Sequence, residues 1–295
     1  MPSLKEVRNR IDSVQSTQQI TNAMKMVAAS KLRRAQDAIL KLRPYSARLK
    51  EIISHVSATL ESGLDNPYGP REEPPRRALI VAISSNKGLC GNFNANIIKR
   101  VQALVQEEPF KSFHDSGNLD IICIGKKAYE FFVRRKYPVT AEYNHLFNQL
   151  TYEKVDEVTS MVLNGYLEGQ WDKVVIVYNY FRNAAVQHVT AEDFLPVMNG
   201  DGEDDSLWTV EYLYEPEKET ILHNLIPQAL RIQFFKTILD SFASEHGARM
   251  TAMHKATDNA GEMLKELKLT YNKARQASIT REIIEIVSGA EALKG

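Results

Sequence analysis

Residues 228–295 read QALRIQFFKTILDSFASEHGARMTAMHKATDNAGEMLKELKLTYNKARQASITREIIEIVSGAEALKG and contain no proline in 68 positions. Apolar residues recur in this stretch in steps of three and four, the spacing of one face of an α-helix. At 1.5 Å per residue, such a helix is roughly 100 Å long. A compact domain of 295 residues is only about 50 Å across. The helix is therefore expected to extend beyond the domain that carries it.

The C-terminal repeat is close to a heptad pattern, which is typical of a coiled coil. It has polar breaks at Lys236 and His246, and a slip of about one residue is expected before Ile279, as a stutter produces. The apolar positions before the slip are Leu222, Leu225, Ala229, Ile232, Leu239, Met250, Met253, Ala260, Leu264, Leu267, Tyr271 and Ala274. Those after it are Ile279, Ile283, Ile286, Ala290 and Leu293.

The N-terminal segment carries a second heptad seam. Its polar positions are Gln18, Thr21 and Lys25, and its apolar ones are Leu4, Val7, Ile11, Val14, Ala28, Leu32, Ala35, Ile39 and Leu42. Pro44 is expected to kink this helix, which should end at Ser62-Gly63. The two terminal helices are natural partners, and we predict that they form an antiparallel coiled coil. The longer helix should lack a partner within the chain at its far end.

The middle of the chain has a different pattern, in which short apolar strands alternate with helices. Strands are predicted at 77–83, 119–124 and 173–178, with an edge strand at 184–191, and helices at 94–106, 126–132 and 153–167. This order is typical of a covered, largely parallel sheet. The predicted fold is α/β, with a Rossmann-like domain inserted between coiled-coil helices. The predicted divisions are an N-terminal helix 1–62, a linker 63–76, the α/β domain 77–200, an acidic connection 201–220 and a C-terminal helix 221–295.

Charge is balanced overall and segregated locally. Lys plus Arg and Asp plus Glu number 37 each, which argues against a nucleic-acid-coating polycation. Residues 1–50 carry a net charge of about +8 and residues 192–219 about −9. Such segregation is typical either of partner surfaces or of two solvated faces. No apolar run is long enough to cross a membrane, and the N-terminus lacks the features of a targeting peptide.

The only candidate for chemistry is the turn Ser84-Ser85-Asn86-Lys87-Gly88-Leu89-Cys90-Gly91-Asn92, at a strand-to-helix junction where a phosphate could bind. It matches neither the Walker nor the dinucleotide pattern. The simpler hypothesis is a tight glycine turn in which Ser84 or Asn92 caps a helix. Two cysteines and scattered histidines give no zinc-ligand spacing. We predict no catalytic residue, metal or cofactor.

Three segments together carry a resemblance to a known family. They are Ile20-Thr21-Asn22-Ala23-Met24-Lys25-Met26-Val27-Ala28-Ala29-Ser30-Lys31, the turn Gly88-Leu89-Cys90-Gly91, and Tyr271-Asn272-Lys273-Ala274-Arg275-Gln276-Ala277-Ser278-Ile279-Thr280-Arg281-Glu282 with its continuation to Ala290. In this order they resemble the gamma subunits of F-type ATP synthases, the central-stalk rotor. One departure is Asn86-Lys87, where the family often has Asp-Arg.

The resemblance implies a non-catalytic shaft that couples rotation of an ion-driven c-ring to the catalytic beta subunits. It implies coupling contacts with beta at Met24, Lys25, Lys31, Arg33, Arg34, Arg275, Gln276, Thr280 and Glu282. It implies contacts with epsilon and the c-ring at Tyr212, Tyr214 and Glu215. It implies a shaft tip that turns in an apolar sleeve, at Ile283, Ile286, Val287, Ala290 and Leu293.

The implied partners are the alpha and beta subunits, epsilon and the membrane c-ring, with no nucleic acid and no transmembrane segment of its own. The Met1 start favours a bacterial protein on the cytoplasmic face of the inner membrane. Two alternatives stay open. The α/β domain could be a nucleotide-binding enzyme that uses Cys90 or Lys87, or the long helices could form a static scaffold.

Overall fold

The computed structural model describes residues 3–58, 66–197 and 218–292, which form two compact units. The helical unit comprises residues 1–29 and 249–295, and the sheet unit comprises residues 30–248. Two helices, α1 (Leu4–Ala58) and α6 (Lys218–Ala292), contribute to both. Both predicted long helices are therefore confirmed. The predicted end of the first, at Ser62-Gly63, lies outside the described residues.

Proline does not end either long helix. Pro44 lies inside α1 and Pro227 inside α6, and each helix continues past its proline. A proline removes one backbone hydrogen bond and crowds the carbonyl four residues earlier, at a cost of about 3 kcal/mol in an isolated helix. Packing of the surrounding turns offsets that cost here, since Leu49 of α1 and Leu230 of α6 are buried near the two prolines in sequence.

The sheet unit alternates strands and helices in chain order. Its strands are β1 (Ala78–Ile83), β2 (Leu119–Ile124), β3 (Val139–Glu142), β4 (Lys173–Phe181) and β5 (Gln187–Leu195). Its remaining helices are α2 (Phe93–Gln106), α3 (Phe110–Asp115), α4 (Lys126–Arg134) and α5 (Tyr152–Leu167), with a short 3-10 helix at Asn144–Asn148.

The five strands form one sheet in the order β3-β2-β1-β4-β5. The pairs β1–β2, β2–β3 and β1–β4 are parallel, and β4–β5 is an antiparallel hairpin. The chain winds outward from β1 in one direction through β2 to β3, then crosses back to β4 on the other side. This is the order of a doubly wound, Rossmann-like sheet, in which ligands usually bind where the winding reverses.

Both faces of the sheet are covered, so its strands have no solvent-facing side. Leu79, Val81 and Ile83 point into one core, while Ala78, Ile80 and Ala82 point into the other. All six residues of β1 are fully buried. The second core is closed by α2, α3 and α4, and the first by α5 together with Leu230, Phe234 and Ile238 of α6. A part of α6 is therefore a core element of the sheet unit.

The helical unit pairs α1 and α6 in antiparallel fashion. Thr21 of α1 contacts Thr257 of α6, and Gln18 lies against Gly261, so residue numbers rise on one helix as they fall on the other. The less exposed positions of α1 up to Ala28 coincide with the predicted seam. The seam of α6 runs through Met253, Ala260 and Leu264, as predicted.

The predicted slip of the α6 seam before Ile279 lies beyond the part of α6 that pairs with α1, and it stays a prediction. The less exposed positions continue in steps of three and four through Tyr271, Ala274 and Ser278, and Ile279 itself is exposed. Beyond Ser278 every described side chain is exposed. The register of the Thr21–Thr257 contact brings Leu4 opposite residue 274, so α1 begins where the seam of α6 ends. The seam stops because its partner helix stops.

Other predicted elements agree to within a few residues, with two kinds of difference. The strand expected at 184–191 is found at Gln187–Leu195. The Asn183 side chain accepts hydrogen bonds from the backbone N–H groups of Ala185 and Val186, which holds residues 183–186 in a turn. The short elements α3 and β3 were not predicted.

Candidate functional site

The last described turns of α6 expose a continuous apolar surface. Ile283, Ile286 and Val287 are 55%, 70% and 56% exposed, and Ala290 is also exposed. Ile279 and Ile284 extend the same surface, while Leu293 lies outside the described residues. Clustered aliphatic side chains on a surface usually mark a protein interface. The four tip residues that the structure describes, Ile283, Ile286, Val287 and Ala290, therefore lie together on one exposed helix end.

Met24 and Lys25 lie on α1 in the helical unit and are half-buried beside the seam. Around them the outer face of α1 exposes Ile20, Met26 and Val27, each to about 60%. Flexible and branched apolar side chains beside a lysine form a surface that suits a partner with both apolar and acidic groups. The predicted coupling residues thus lie at the edge of an exposed apolar strip.

Lys31, Arg33 and Arg34 lie farther along α1, in the sheet unit, and all three are exposed. Within the described parts of the chain, none of these side chains forms an ion pair with a carboxylate. Solvated cations without an internal partner can attract an acidic surface over about a Debye length. The geometry leaves these three charges available to another molecule.

Arg275, Gln276, Thr280 and Glu282 are all exposed on α6 in the helical unit. The Thr280 hydroxyl donates to the backbone carbonyl of Gln276 at 2.9 Å, so its proton is used within the helix. The register places Met24 opposite residue 254, which is about 30 Å along the helix from Arg275 at 1.5 Å per residue. These four residues are therefore far from Met24, and the two groups do not form one site. The predicted contact residues Tyr212, Tyr214 and Glu215 lie outside the described residues.

The turn between β1 and α2 uses its polar groups internally. The backbone N–H of Ser84 donates to the Ile124 carbonyl, and that of Ser85 donates to Asn94 Oδ1. The Ser84 hydroxyl accepts from the backbone N–H of Ala128, in the first turn of α4. The prediction that Ser84 or Asn92 caps a helix is confirmed for Ser84, while Asn92 makes no side-chain cap on α2. Ser84 caps a different helix, which is distant in sequence.

Gly125 is the position where this turn approaches α4 most closely. Its backbone has φ +106°, and an added Cβ would lie 2.2 Å from the Ser84 carbonyl oxygen. Only glycine fits such a conformation and such an approach. Asn86 completes the junction, because its side chain accepts from the backbone N–H of Lys126 and donates to the Asn144 carbonyl.

Both cysteines are buried within the sheet unit. Cys90 Sγ lies 3.3 Å from Asn94 Nδ2 and 3.8 Å from the Ser85 hydroxyl. Cys123 is fully buried in β2, and desolvation, with a smaller contribution from Glu142, raises the pKa of its thiol to about 12. A thiol that stays protonated is a poor nucleophile. These surroundings are those of structural cysteines.

The crevice where the sheet reverses its winding is filled by the chain itself. Asn179, near the carboxyl end of β4, is buried, and its amide lies 3.5 Å from the Phe93 carbonyl at the start of α2. The Ser244 hydroxyl of α6 donates to the Asn179 carbonyl at 2.9 Å. A nucleotide bound in the usual place would have to displace these groups.

The described residues were also compared with the requirements of a metal site and of a membrane-spanning helix. They contain no group of three or more His, Cys, Asp or Glu side chains that could hold a metal ion. Their helices also include none that is long and apolar enough to cross a membrane.

A polar junction between the sheet and α6 was not predicted from the sequence. Glu192 of β5 accepts a hydrogen bond from the Tyr178 hydroxyl at 2.7 Å and another from Gln233 Nε2 at 2.7 Å. Burial and the neighbouring carboxylate of Glu192 raise the pKa of Tyr178. Nearby, Arg231 of α6 lies 3.4 Å from Asp156 of α5. No periodicity predicts these pairs, because they join residues distant in sequence.

In chain order, the protein has a long helix, a doubly wound sheet domain and a second long helix. Comparison with known proteins identifies the class of protein that has this arrangement. A family model described as ATP synthase matches residues 3–293 of the chain. The match covers both long helices and the complete sheet unit.

Individual relatives show which subunit of ATP synthase the chain resembles. The chain is 52% identical to the ATP synthase gamma chain of Cytophaga hutchinsonii over 99% of both chains. It is 49% identical to that of Christiangramia forsetii and 44% identical to that of Chlorobaculum tepidum, over 100% of each chain. The chain belongs to the ATP synthase gamma chain family.

Solved structures share the fold at low identity. A chain of the Euglena gracilis mitochondrial ATP synthase rotor superposes with a TM-score of 0.64 at 21% identity, covering 94% of this chain and 98% of that one. A second chain, from the same organism's OSCP/F1/c-ring structure, gives a TM-score of 0.67 at 20% identity, with 98% and 94% covered.

Proposed function

We propose that this chain is the rotor shaft of an F-type ATP synthase, and that it performs no catalysis itself. Rotation of an ion-driven c-ring turns the chain inside a hexamer of alpha and beta subunits. Each orientation of an asymmetric shaft favours a different conformation of each beta subunit through unequal contact free energies, and so shifts nucleotide affinity. Family membership and the rotor assemblies named for the structural neighbours support this proposal.

The observation that carries the proposal is the exposed apolar end of α6. A helix end with five large exposed aliphatic side chains between Ile279 and Val287 favours an external apolar environment. A sleeve of alpha and beta subunits supplies one without locking a single rotational position, because apolar contacts are non-directional. Ile283, Ile286, Val287, Ala290 and Leu293 form the tip in this assignment.

The coupling contacts with beta are assigned to two stretches. On α1, Met24 and Lys25 present apolar and charged groups, and Lys31, Arg33 and Arg34 present unpaired cations to an acidic surface. Higher on the shaft, Arg275, Gln276, Thr280 and Glu282 of α6 present donors and acceptors. Their separation of about 30 Å along the helix means that they engage beta at different heights.

The remaining partners are epsilon and the c-ring, which we assign to Tyr212, Tyr214 and Glu215. Binding to the c-ring holds the chain at the cytoplasmic face of the bacterial inner membrane as a peripheral subunit. The bacterial gamma chains that this chain resembles at 43–52% identity are consistent with that location. No cofactor, metal or nucleic acid takes part.

The alternatives make opposite predictions. A nucleotide-binding enzyme needs an open crevice at the sheet reversal and a reactive Cys90 or Lys87, whereas Asn179 and Ser244 fill that crevice. A static scaffold tolerates a covalent link between helix and partner. A rotor does not.

ATP hydrolysis by reconstituted mixtures tests the proposal. We expect no hydrolysis from the purified chain alone, slow hydrolysis from alpha plus beta, and sustained hydrolysis when all three are mixed. Hydrolysis by the chain alone would establish an active site in the sheet unit. Failure to assemble with alpha and beta would favour the scaffold.

A reversible crosslink separates a rotor from a scaffold. The two natural cysteines are buried, so Ile286→Cys creates a uniquely exposed thiol. Oxidation to a cysteine placed in the surrounding sleeve should stop hydrolysis, and reduction should restore it. Full turnover with the crosslink intact would contradict rotation of the tip. The same variant kept reduced is the control.

A further inference from the structure

A cluster of three side chains ties the sheet to the shaft helix, and we call Glu192, Tyr178 and Gln233 the Glu192 clasp. One carboxylate oxygen of Glu192 accepts from the Tyr178 hydroxyl of β4, and the other accepts from Gln233 Nε2 of α6, each at 2.7 Å. Tyr178 is 5% exposed and Glu192 is half-buried. A carboxylate thus joins two strands and α6 through two directional bonds.

Two more contacts follow along α6 on the side that faces the same hairpin. Ser244 donates to the backbone carbonyl of Asn179, which is the residue after Tyr178. An added Cβ at Gly247 would lie 3.2 Å from Ala184 Cα, at the tip of the β4–β5 hairpin. From Gln233 to Gly247 the helix covers about 21 Å at 1.5 Å per residue. The β4–β5 hairpin therefore contacts α6 at both ends of this segment, through Glu192 at Gln233 and through Ala184 at Gly247.

The clasp differs physically from the apolar packing around it. Leu230, Phe234 and Ile238 bury α6 against the sheet and select the face that it presents, but the individual apolar contacts are non-directional. Hydrogen bonds to a carboxylate are short, strong and directional. Rotation of α6 on the sheet would break the Gln233 bond and leave an acceptor of Glu192 unpaired in a half-buried place, which is unfavourable.

We propose that the Glu192 clasp fixes the rotation of α6 on the sheet, and that Glu192 is a positioning residue for transmission of torque from the sheet unit to the shaft. This inference rests on the proposed rotor function and assigns a structural role within it to Glu192. Force on the sheet unit reaches α6 directly through the β4–β5 hairpin.

A matched set of substitutions isolates the clasp. Glu192→Ala removes both hydrogen bonds. Glu192→Gln keeps both if the Gln233 amide turns over, since the new amide then accepts from Tyr178 and donates to Gln233 Oε1. Gln233→Leu removes only the bond to α6 and leaves Tyr178 paired. Asp193→Ala is the control, because Asp193 is the next residue of β5, is exposed, and pairs with Lys173 away from α6.

The measurement is the angular spread of a probe on the sheet unit during pauses of an immobilised alpha–beta complex. The probe is attached through Val133→Cys on α4, which is 46% exposed, while both natural cysteines are buried. We expect the angular variance to rise at least about twofold in Glu192→Ala and Gln233→Leu, because a directional restraint is lost. Glu192→Gln and Asp193→Ala should match the unmodified chain.

The outcomes are distinguishable. Equal variance for Gln233→Leu and the unmodified chain would overturn the inference, even if Glu192→Ala failed to fold. Equal broadening in Asp193→Ala would also overturn it, because the effect would then not depend on the clasp. Absence of rotation in the unmodified complex would instead overturn the proposed function.

Discussion

The two units of this chain bury apolar surface in opposite ways. In the sheet unit both faces of every central strand are covered, and the six residues of β1 have no exposed surface. In the helical unit a single seam on each helix is buried, and large apolar residues such as Ile20 and Leu269 are about 60% exposed on the outside. The sheet unit is closed to partners at its centre, while the helical unit is covered on one side only.

The two units therefore differ in how strongly they are stabilised by packing within the chain. The sheet unit has the layered core of an independent domain. The helical unit has a narrow seam, interrupted by the polar residues Gln18, Thr21 and Thr257, so its internal packing is weaker per residue. A shaft that is incompletely satisfied within its own chain keeps apolar surface for a surrounding assembly.

Three leucines give the largest expected contrast between the units. Leu79→Ala, at a fully buried strand position, should lower stability by about 4 kcal/mol, and Leu264→Ala in the seam by about 2 kcal/mol. Leu269→Ala is the control at 62% exposure and should change stability by less than about 0.5 kcal/mol. Amide hydrogen exchange of β1 and of α6 measures the two units separately. Equal losses for Leu79 and Leu264 would remove the contrast.

The junction between β1 and α4 is expected to be nearly as sensitive. Gly125→Ala should destabilise the sheet unit by about 3 kcal/mol, because its Cβ meets the Ser84 carbonyl at 2.2 Å and φ is +106°. Gly88→Ala is a matched control, with no atom within 4 Å of an added Cβ. Urea unfolding followed by tryptophan fluorescence measures both. A Gly125→Ala protein as stable as Gly88→Ala would show that the turn can rearrange.

Alkaline pH should weaken the sheet unit through Cys123. The folded thiol keeps its proton until about pH 12. An unfolded thiol ionises near pH 8.5, so stability is complete below that pH and falls by about 1.4 kcal/mol per pH unit above it. Relative to Cys123→Ala, the unmodified chain should lose at least about 2 kcal/mol more between pH 7 and pH 10.5. Parallel urea midpoints for the two proteins over this range would contradict the assignment.

The exposed cations of α1 should affect turnover and leave folding intact. Replacing Lys31, Arg33 and Arg34 together by Gln should change hydrolysis in the assembled complex a few-fold, or by about 1 kcal/mol, with a weaker dependence on salt. Replacing Lys99, Lys111 and Arg134 by Gln removes the same charge from α2, α3 and α4 and serves as the control. Steady-state rates at two ionic strengths measure both. Identical effects of the two triple variants would reduce the result to net charge.

The smallest expected effect concerns the polar layer of the seam. The Thr257 hydroxyl donates to Thr21 Oγ1 at 2.9 Å, and Thr21 donates to the Gln18 carbonyl. A double-mutant cycle with Thr21→Val and Thr257→Val should give a coupling of about 0.5–1 kcal/mol. The cycle is measured by exchange of amides near Ala260. Strict additivity of the two substitutions would show that the hydroxyl pair contributes nothing beyond packing.

Helices and strands whose apolar residues recur at a regular spacing could be predicted from the sequence. The α1 seam was found at its predicted positions because helical spacing fixes which residues share a face. The strand Leu119–Ile124 matched its prediction because a fully buried strand is a bounded apolar run. β5 begins three residues later than predicted, because the Asn183 side chain holds the backbone in a turn through Val186, a role that is common for Asn.

What depended on distant neighbours could not be predicted. The end of the α6 seam is set by where α1 begins, and the cap of α4 comes from Ser84, which lies 44 residues before Ala128. The Glu192 clasp joins residues whose types are ordinary for an exposed strand and helix. Neither periodicity nor propensity encodes such pairs, because only the closed sheet brings them together.

The hydrogen bond between Thr21 and Thr257 joins residues 236 positions apart, and this separation governs how the chain must fold. At 5–20 residues per second, a ribosome takes about 10–50 seconds to make the intervening chain. During that time α1 has no seam partner, whereas each parallel strand pair closes over a shorter loop. The seam between α1 and α6 can therefore close only after residue 257 has been made, later than the pairing of β1 with β2 can begin.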